Sequence, residues 1–157
     1  GGSIFAEYET EGGWALGIDF VPVDADLGDG NRTDASGSAS ASADDTGDRS
    51  ASAEMEDLYT IYVTKTLGDN GMYALLGYHD ATITTTETLP ASSYGDASLN
   101  GIQYGIGFKT PVGEDGAIRY ELSYSDFDDI SLTDSTNSKN VITAEADAYT
   151  LKIGFNF

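Results

Sequence analysis

Apolar and polar residues alternate with a period of two through seven stretches of this chain. That is the spacing at which successive strand side chains point to opposite faces. Ile4, Ala6 and Tyr8 oppose Phe5, Glu7 and Glu9; after "TEGG", Trp14, Leu16, Ile18 and Phe20 oppose Ala15, Gly17 and Asp19. A third stretch sets Tyr59, Ile61 and Val63 against Thr60, Tyr62 and Thr64. The fourth, with Met72, Ala74, Leu76 and Tyr78 against Tyr73, Leu75, Gly77 and His79, is the least clean. Ile102, Tyr104, Ile106 and Phe108 then oppose Gln103, Gly105, Gly107 and Lys109; Ile118, Tyr120, Leu122 and Tyr124 oppose Arg119, Glu121, Ser123 and Ser125. The seventh is the terminal "AYTLKIGFNF", where Tyr149, Leu151, Ile153, Phe155 and Phe157 alternate with Thr150, Lys152, Gly154 and Asn156. No stretch carries a helical period, so the pattern predicts an all-β chain.

The connections alternate between short and long. "TEGG", "LGDNG" and "TPVGEDG" are glycine-bearing turns of the kind that close hairpins, whereas the segments 22–57, 80–98 and 126–147 are long. An antiparallel up-and-down sheet with tight turns at one end and long loops at the other matches a transmembrane β-barrel. A soluble lipocalin-like barrel, with the apolar face inside, is the competing reading of the same alternation.

The polar face separates the two. It carries Glu7, Asp19, Lys109, Arg119, Glu121 and Lys152, three acids and three bases, a set suited to ion pairs in a narrow interior, with Glu121 expected to couple to Lys152 or Lys109. The apolar face places Trp14, Phe108, Phe155 and Phe157 toward the short-turn end. Phe20, Tyr59, Tyr78, Tyr124 and Tyr149 lie toward the long-loop end. Two aromatic girdles around an aliphatic band are the mark of a lipid-facing surface.

Composition agrees. Ten Tyr and 19 Gly against three Pro in 157 residues suit strands and turns. No apolar run reaches the ~18 residues of a transmembrane helix, and no basic-then-apolar leader opens the sequence. With no Cys there is neither a disulfide scaffold nor a thiolate metal site. A formal net charge of -20 excludes nucleic acid as a partner.

These residues resemble small bacterial outer-membrane β-barrels, similar to the transmembrane domain of the outer-membrane protein A class. The resemblance covers all seven strands and is sharpest at the end, where Tyr149, Leu151, Ile153, Phe155 and Phe157 match the terminal signal read by the barrel-assembly machinery. The family pattern often has Gly five residues before the last aromatic; here Lys152 stands there and the glycine is Gly154. The resemblance implies a place in the outer membrane among its lipids, and an end at Phe157 implies no following periplasmic domain. Such barrels have an even strand number, so seven strands imply eight, with one N-terminal strand missing from this chain or supplied by another polypeptide. The alternative is the C-terminal part of a wider, conducting porin.

The three long loops hold 19 of the 27 acids against Arg32, Arg49 and Lys139. A solvated surface explains this; the sharper reading is Ca2+ at Asp24, Asp26 and Asp29 in "DADLGDGN", although their spacing fits a calcium loop poorly. No other cofactor is expected. In the first loop, the alternation of Ser36, Ser38, Ser40 and Ser42, the turn "DDTGD" and "RSASAEME" predict a β-hairpin arm prolonging the second and third strands; "TITTTETL" predicts a strand running past the bilayer. The sole His, His79, lies on the polar parity, and one base does not make a catalytic set. A lipid-modifying barrel enzyme is therefore the least favoured reading. The expected function is a structural or surface-interaction role carried by the acidic loops, toward a partner protein, without enzymatic activity.

Overall fold

Glycines at positive φ close the tight connections: Gly12 and Gly13, Gly68 and Gly71, and Gly113. L side chains are disfavoured there. At Gly71 a Cβ would also fall 2.3 Å from the Lys109 carbonyl oxygen, so the second turn can pack against its neighbouring strand only with glycine. The structure, a computed structural model, describes residues 2–22, 25–34, 47–88, 95–133 and 141–157.

Eight strands form one antiparallel sheet: β1 (Ile4–Glu9), β2 (Trp14–Val21), β3 (Ala25–Asp34), β4 (Gly47–Thr66), β5 (Met72–Thr88), β6 (Ala97–Val112), β7 (Gly116–Thr133) and β8 (Val141–Asn156). Seven of them follow the up-and-down order β1-β2-β4-β5-β6-β7-β8, and β3 pairs β4 alone. The long strand β4 is shared. Its lower half, Leu58–Lys65, pairs β2, and its upper half, Gly47–Met55, pairs β3. β3 is thus β2 resumed after Pro22, and the seven alternating stretches appear as seven strand positions. The sheet is not closed: among the described residues, β1 and β8 share no ladder.

The loops expected at 22–57, 80–98 and 126–147 are largely ladder. β5 runs to Thr88, β6 starts at Ala97, β7 runs to Thr133 and β8 starts at Val141. Threonine-rich and alternating polar sequence sustains strand pairing beyond the apolar belt. The hairpin arm exists, with a different outgoing side. Its return, "RSASAEME", pairs with Ala25–Asp34; Ser36, Ser38, Ser40 and Ser42 lie outside the described residues.

The character of the buried face inverts along the sheet. In the lower tier the apolar parity is exposed and the polar parity buried, as at exposed Leu122 beside Ser123, which is only 3% exposed. Above Tyr78 the pattern reverses: Ala81, Ile83, Leu99 and Ile130 form a buried cluster, with Ala53, Met55, Leu58, Ala97 and Phe127 packed against it. Asp80, Thr82, Ser98 and Asp126 are exposed beside them. Two register shifts lie at this level, Glu56/Tyr59 on β4 and Phe127/Ile130 on β7, each with one extra residue. The extra residue changes parity. Met55 and Ile130 consequently point inward although their strands below hold Tyr62 and Arg119 inward on the other parity.

Replacing Ile83 by Ala should lower stability by about 2–5 kcal/mol in denaturant unfolding, against about 0.5 kcal/mol or less for Thr82→Ala. Equal effects would contradict the packed upper tier.

Candidate functional site

Strand alternation delivers Glu7 from β1, Asp19 from β2, Lys109 from β6, Arg119 and Glu121 from β7 and Lys152 from β8 to one face of the sheet. The sheet curls until they meet. Arg119, 3% exposed, is the hub: Nη1 donates to Glu7 Oε2 at 2.8 Å, and Nη2 to Glu121 Oε2 at 2.6 Å. Its Nε donates to Tyr73 Oη at 2.6 Å. Tyr62 and Tyr73 hold the two carboxylates in turn, donating to Glu7 Oε2 at 3.0 Å and Glu121 Oε2 at 2.9 Å. The Tyr73, Tyr62 and Phe5 rings lie 4.9, 5.3 and 5.4 Å from the guanidinium carbon. A buried charge is tolerable when its donors are satisfied in this way.

Two lysines complete the set. Lys109 Nζ donates to Glu7 Oε1 at 2.5 Å and Glu9 Oε1 at 2.7 Å, and Lys152 pairs with Asp19. The six charges therefore come together as three acids and three bases. The expected coupling is corrected, however: Glu121 binds Arg119, while Lys109 and Lys152 bind the acids of β1 and β2. Arg119 and Glu121 stand two apart on β7 and so point to the same face; that spacing puts them within reach.

Tyr62 and Tyr73 were missed as members of the network. Each lies opposite a glycine in the register, Tyr62 by Gly17 and Tyr73 by Gly107. A Cβ would come within 2.2 Å of Tyr62 Cζ at Gly17 and 2.0 Å of Tyr73 Cζ at Gly107. An inward Tyr paired with an inward Gly was the available signal, because a ring can then lie across the partner strand toward the centre.

A neutral polar layer sits above. His79 Nδ1 shares a hydrogen bond with Thr60 Oγ1 at 2.7 Å, and Nε2 one with Ser125 Oγ at 2.8 Å. Its ring stacks on Phe127 at 5.3 Å. Gln103 Nε2 donates to Ser123 Oγ at 2.8 Å. The apolar cluster of the upper tier covers this layer. Among the charges, a cavity lined by Asp19, Gln103, Glu121 and Lys152 has room for roughly one water. The space among these described side chains is nearly filled.

The outward face is an apolar belt. Leu16, Ile18, Ile61, Leu76, Ile102, Ile106 and Leu122 form its middle, all exposed. Trp14, Phe108, Tyr120, Phe155 and Phe157 border it below, with Lys65 Nζ 5.0 Å from the Trp14 ring centre. Phe20 and Tyr59 stack at 4.7 Å above, and Tyr104, Tyr124 and Tyr149 follow one another at 5.3 and 4.9 Å. Tyr78 lies on the same border. Tyr149, Leu151, Ile153 and Phe155, expected from the sequence to form a terminal signal, all face outward on β8, with Phe157 just beyond the strand.

Of the calcium candidates, Asp24 lies outside the described residues. Asp26 and Asp29 occur in β3, opposite Glu54 and Ser52, rather than in a loop. No group of three or more metal-ligating side chains occurs among the described residues.

Arg119→Met leaves Glu7 and Glu121 buried without their cation and should cost about 3–5 kcal/mol. Adding Glu121→Gln should recover part of that loss, so a double-mutant cycle by denaturant unfolding should show non-additivity. Strict additivity would contradict the hub. Comparison with protein-family models, curated proteins and solved structures returned no match.

Proposed function

We propose that this chain is the membrane-embedded part of a bacterial outer-membrane β-barrel. Its role is structural or surface-interacting, carried by the acidic tier above the bilayer rather than by catalysis or solute passage. One observation carries the reading: the lower sheet is inside out, with Arg119 and Glu121 each 3% exposed while Leu151 is 74% exposed. Water would favour the reverse arrangement. A hydrocarbon surrounding favours this one, and it also accounts for aromatic borders at both edges of the belt.

Outward apolar runs such as Met72–Tyr78 and Trp14–Phe20 measure roughly 20 Å along the strand at ~3.4 Å per residue. That suits a thin bilayer, and bacterial outer membranes are thinner than average. Closure to eight strand positions by a strand preceding β1 would pair the two free edges, which lipid cannot satisfy. The interior contacts between β1 and both β6 and β7 favour that narrow barrel over a wider porin. Ion pairs below and apolar packing above occupy the space a solute would need. Assembly by the barrel-assembly machinery, reading the terminal aromatic strand, belongs to the same proposal.

Trp14 is the only Trp. In lipid vesicles its fluorescence should be quenched by brominated acyl chains and protected from aqueous iodide. The opposite result would sink the membrane reading. Leu122→Arg should cost about 2–4 kcal/mol if Leu122 lies near the midplane, measured by denaturant unfolding from the same vesicles; a negligible cost would place that position outside hydrocarbon.

A further inference from the structure

We infer that the gap between β1 and β8 is a docking slot for one β-strand of defined chemistry: antiparallel to both edges, apolar outward, and small and uncharged inward. The inference rests on the barrel reading above and specifies the strand that completes it.

Direction comes from the topology. Seven strand positions joined by antiparallel ladders leave the first and last running the same way, so β1 and β8 both descend toward the tight turns. Direct pairing would introduce a parallel ladder into an otherwise antiparallel sheet. One ascending strand satisfies both edges with antiparallel ladders.

The width of the slot is set on the inner face, where the network already spans it. Lys152 of β8 pairs with Asp19 of β2, and Arg119 of β7 with Glu7 of β1. Phe5 of β1 reaches across to Gly154 of β8, where a Cβ would lie 3.4 Å from the ring. Space on the inner side is therefore taken by Phe5, so the incoming strand must carry Gly, Ala or Ser inward at this level. Charge imposes the same condition. The inner-face bases Lys109, Arg119 and Lys152 are each already paired with acids of the same face, and a further inward charge would add an unmatched one.

The remaining features follow from the neighbours. Ile4 and Tyr8 on β1, and Leu151, Ile153 and Phe155 on β8, are exposed on the outer face, so the strand between them continues the apolar belt. At the lower end of β8, Asn156 Oδ1 is buried with no hydrogen-bond partner among the described residues. A donor at the first inward position of the incoming strand, Ser or Thr, would answer it.

The test uses the 157-residue chain in lipid vesicles with a ten-residue peptide alternating Leu outward with Ser, Gly and Ala inward, and one outward Cys. The chain has no Cys, so Tyr8→Cys and Ile153→Cys variants report each edge separately by disulfide capture. Capture at both positions is expected, with at least tenfold less for a peptide carrying Glu and Leu at the inward positions. Capture at one edge alone, or equal capture of the two peptides, would overturn the slot. Quenching of Trp14 by brominated lipid is read on the same samples. Retained quenching without two-edge capture defeats the slot and spares the membrane reading; lost quenching defeats both.

Discussion

The buried guanidinium of Arg119 holds this architecture together. Its partners come from β1, β4, β5 and β7, elements separated by most of the width of the sheet. They can meet at one point only if the sheet rolls. A flat sheet would hold those partners apart and leave the guanidinium without most of them. The roll is set by polar geometry at the centre, while the rim is free to be apolar.

A second constraint acts along the strands. Their period is two everywhere, yet the exposed face changes from apolar to polar at the level of Tyr78. Two solutions are used. On β5 the sequence itself changes phase, with Leu76 and Tyr78 outward but Ala81 and Ile83 inward. On β4 and β7 a one-residue bulge changes the phase instead, and Asp57, with φ of 49°, is the non-glycine residue that absorbs part of it. The upper tier thereby gains an apolar core of its own above the polar layer.

Much of this was legible in the sequence, for physical reasons. Alternation at Trp14–Phe20 or Ile118–Ser125 has one geometric meaning, and the sorting of Glu, Lys and Arg onto one parity announces a polar interior. Glycine turns marked the strand ends at one side. The upper side was harder: Thr, Ser and Asp fit loops as readily as water-facing strands, so 80–88 and 126–133 read as connection until pairing partners were known. Bulges leave no composition signal, which hid the inward turn of Met55 and Ile130. Partner choice was also hidden, because parity assigns a face but not a side chain's reach; Lys152 stands directly opposite Glu121 yet binds Asp19 of β2, and Lys109 binds Glu7 and Glu9.

The phase reversal is the most direct test of the account. Single cysteines at each position from 72 through 86 of the Cys-free chain, spin-labelled in lipid vesicles, report collision with oxygen, which concentrates in the bilayer, and with a water-soluble nickel complex. Even positions through Tyr78 should show high oxygen and low nickel accessibility; from Asp80 upward the even positions should show high nickel accessibility, with Ala81 and Ile83 protected from both. A single accessibility class along the whole of β5, with nickel reaching even positions below Tyr78 as readily as above it, would contradict an inside-out sheet crossing a membrane.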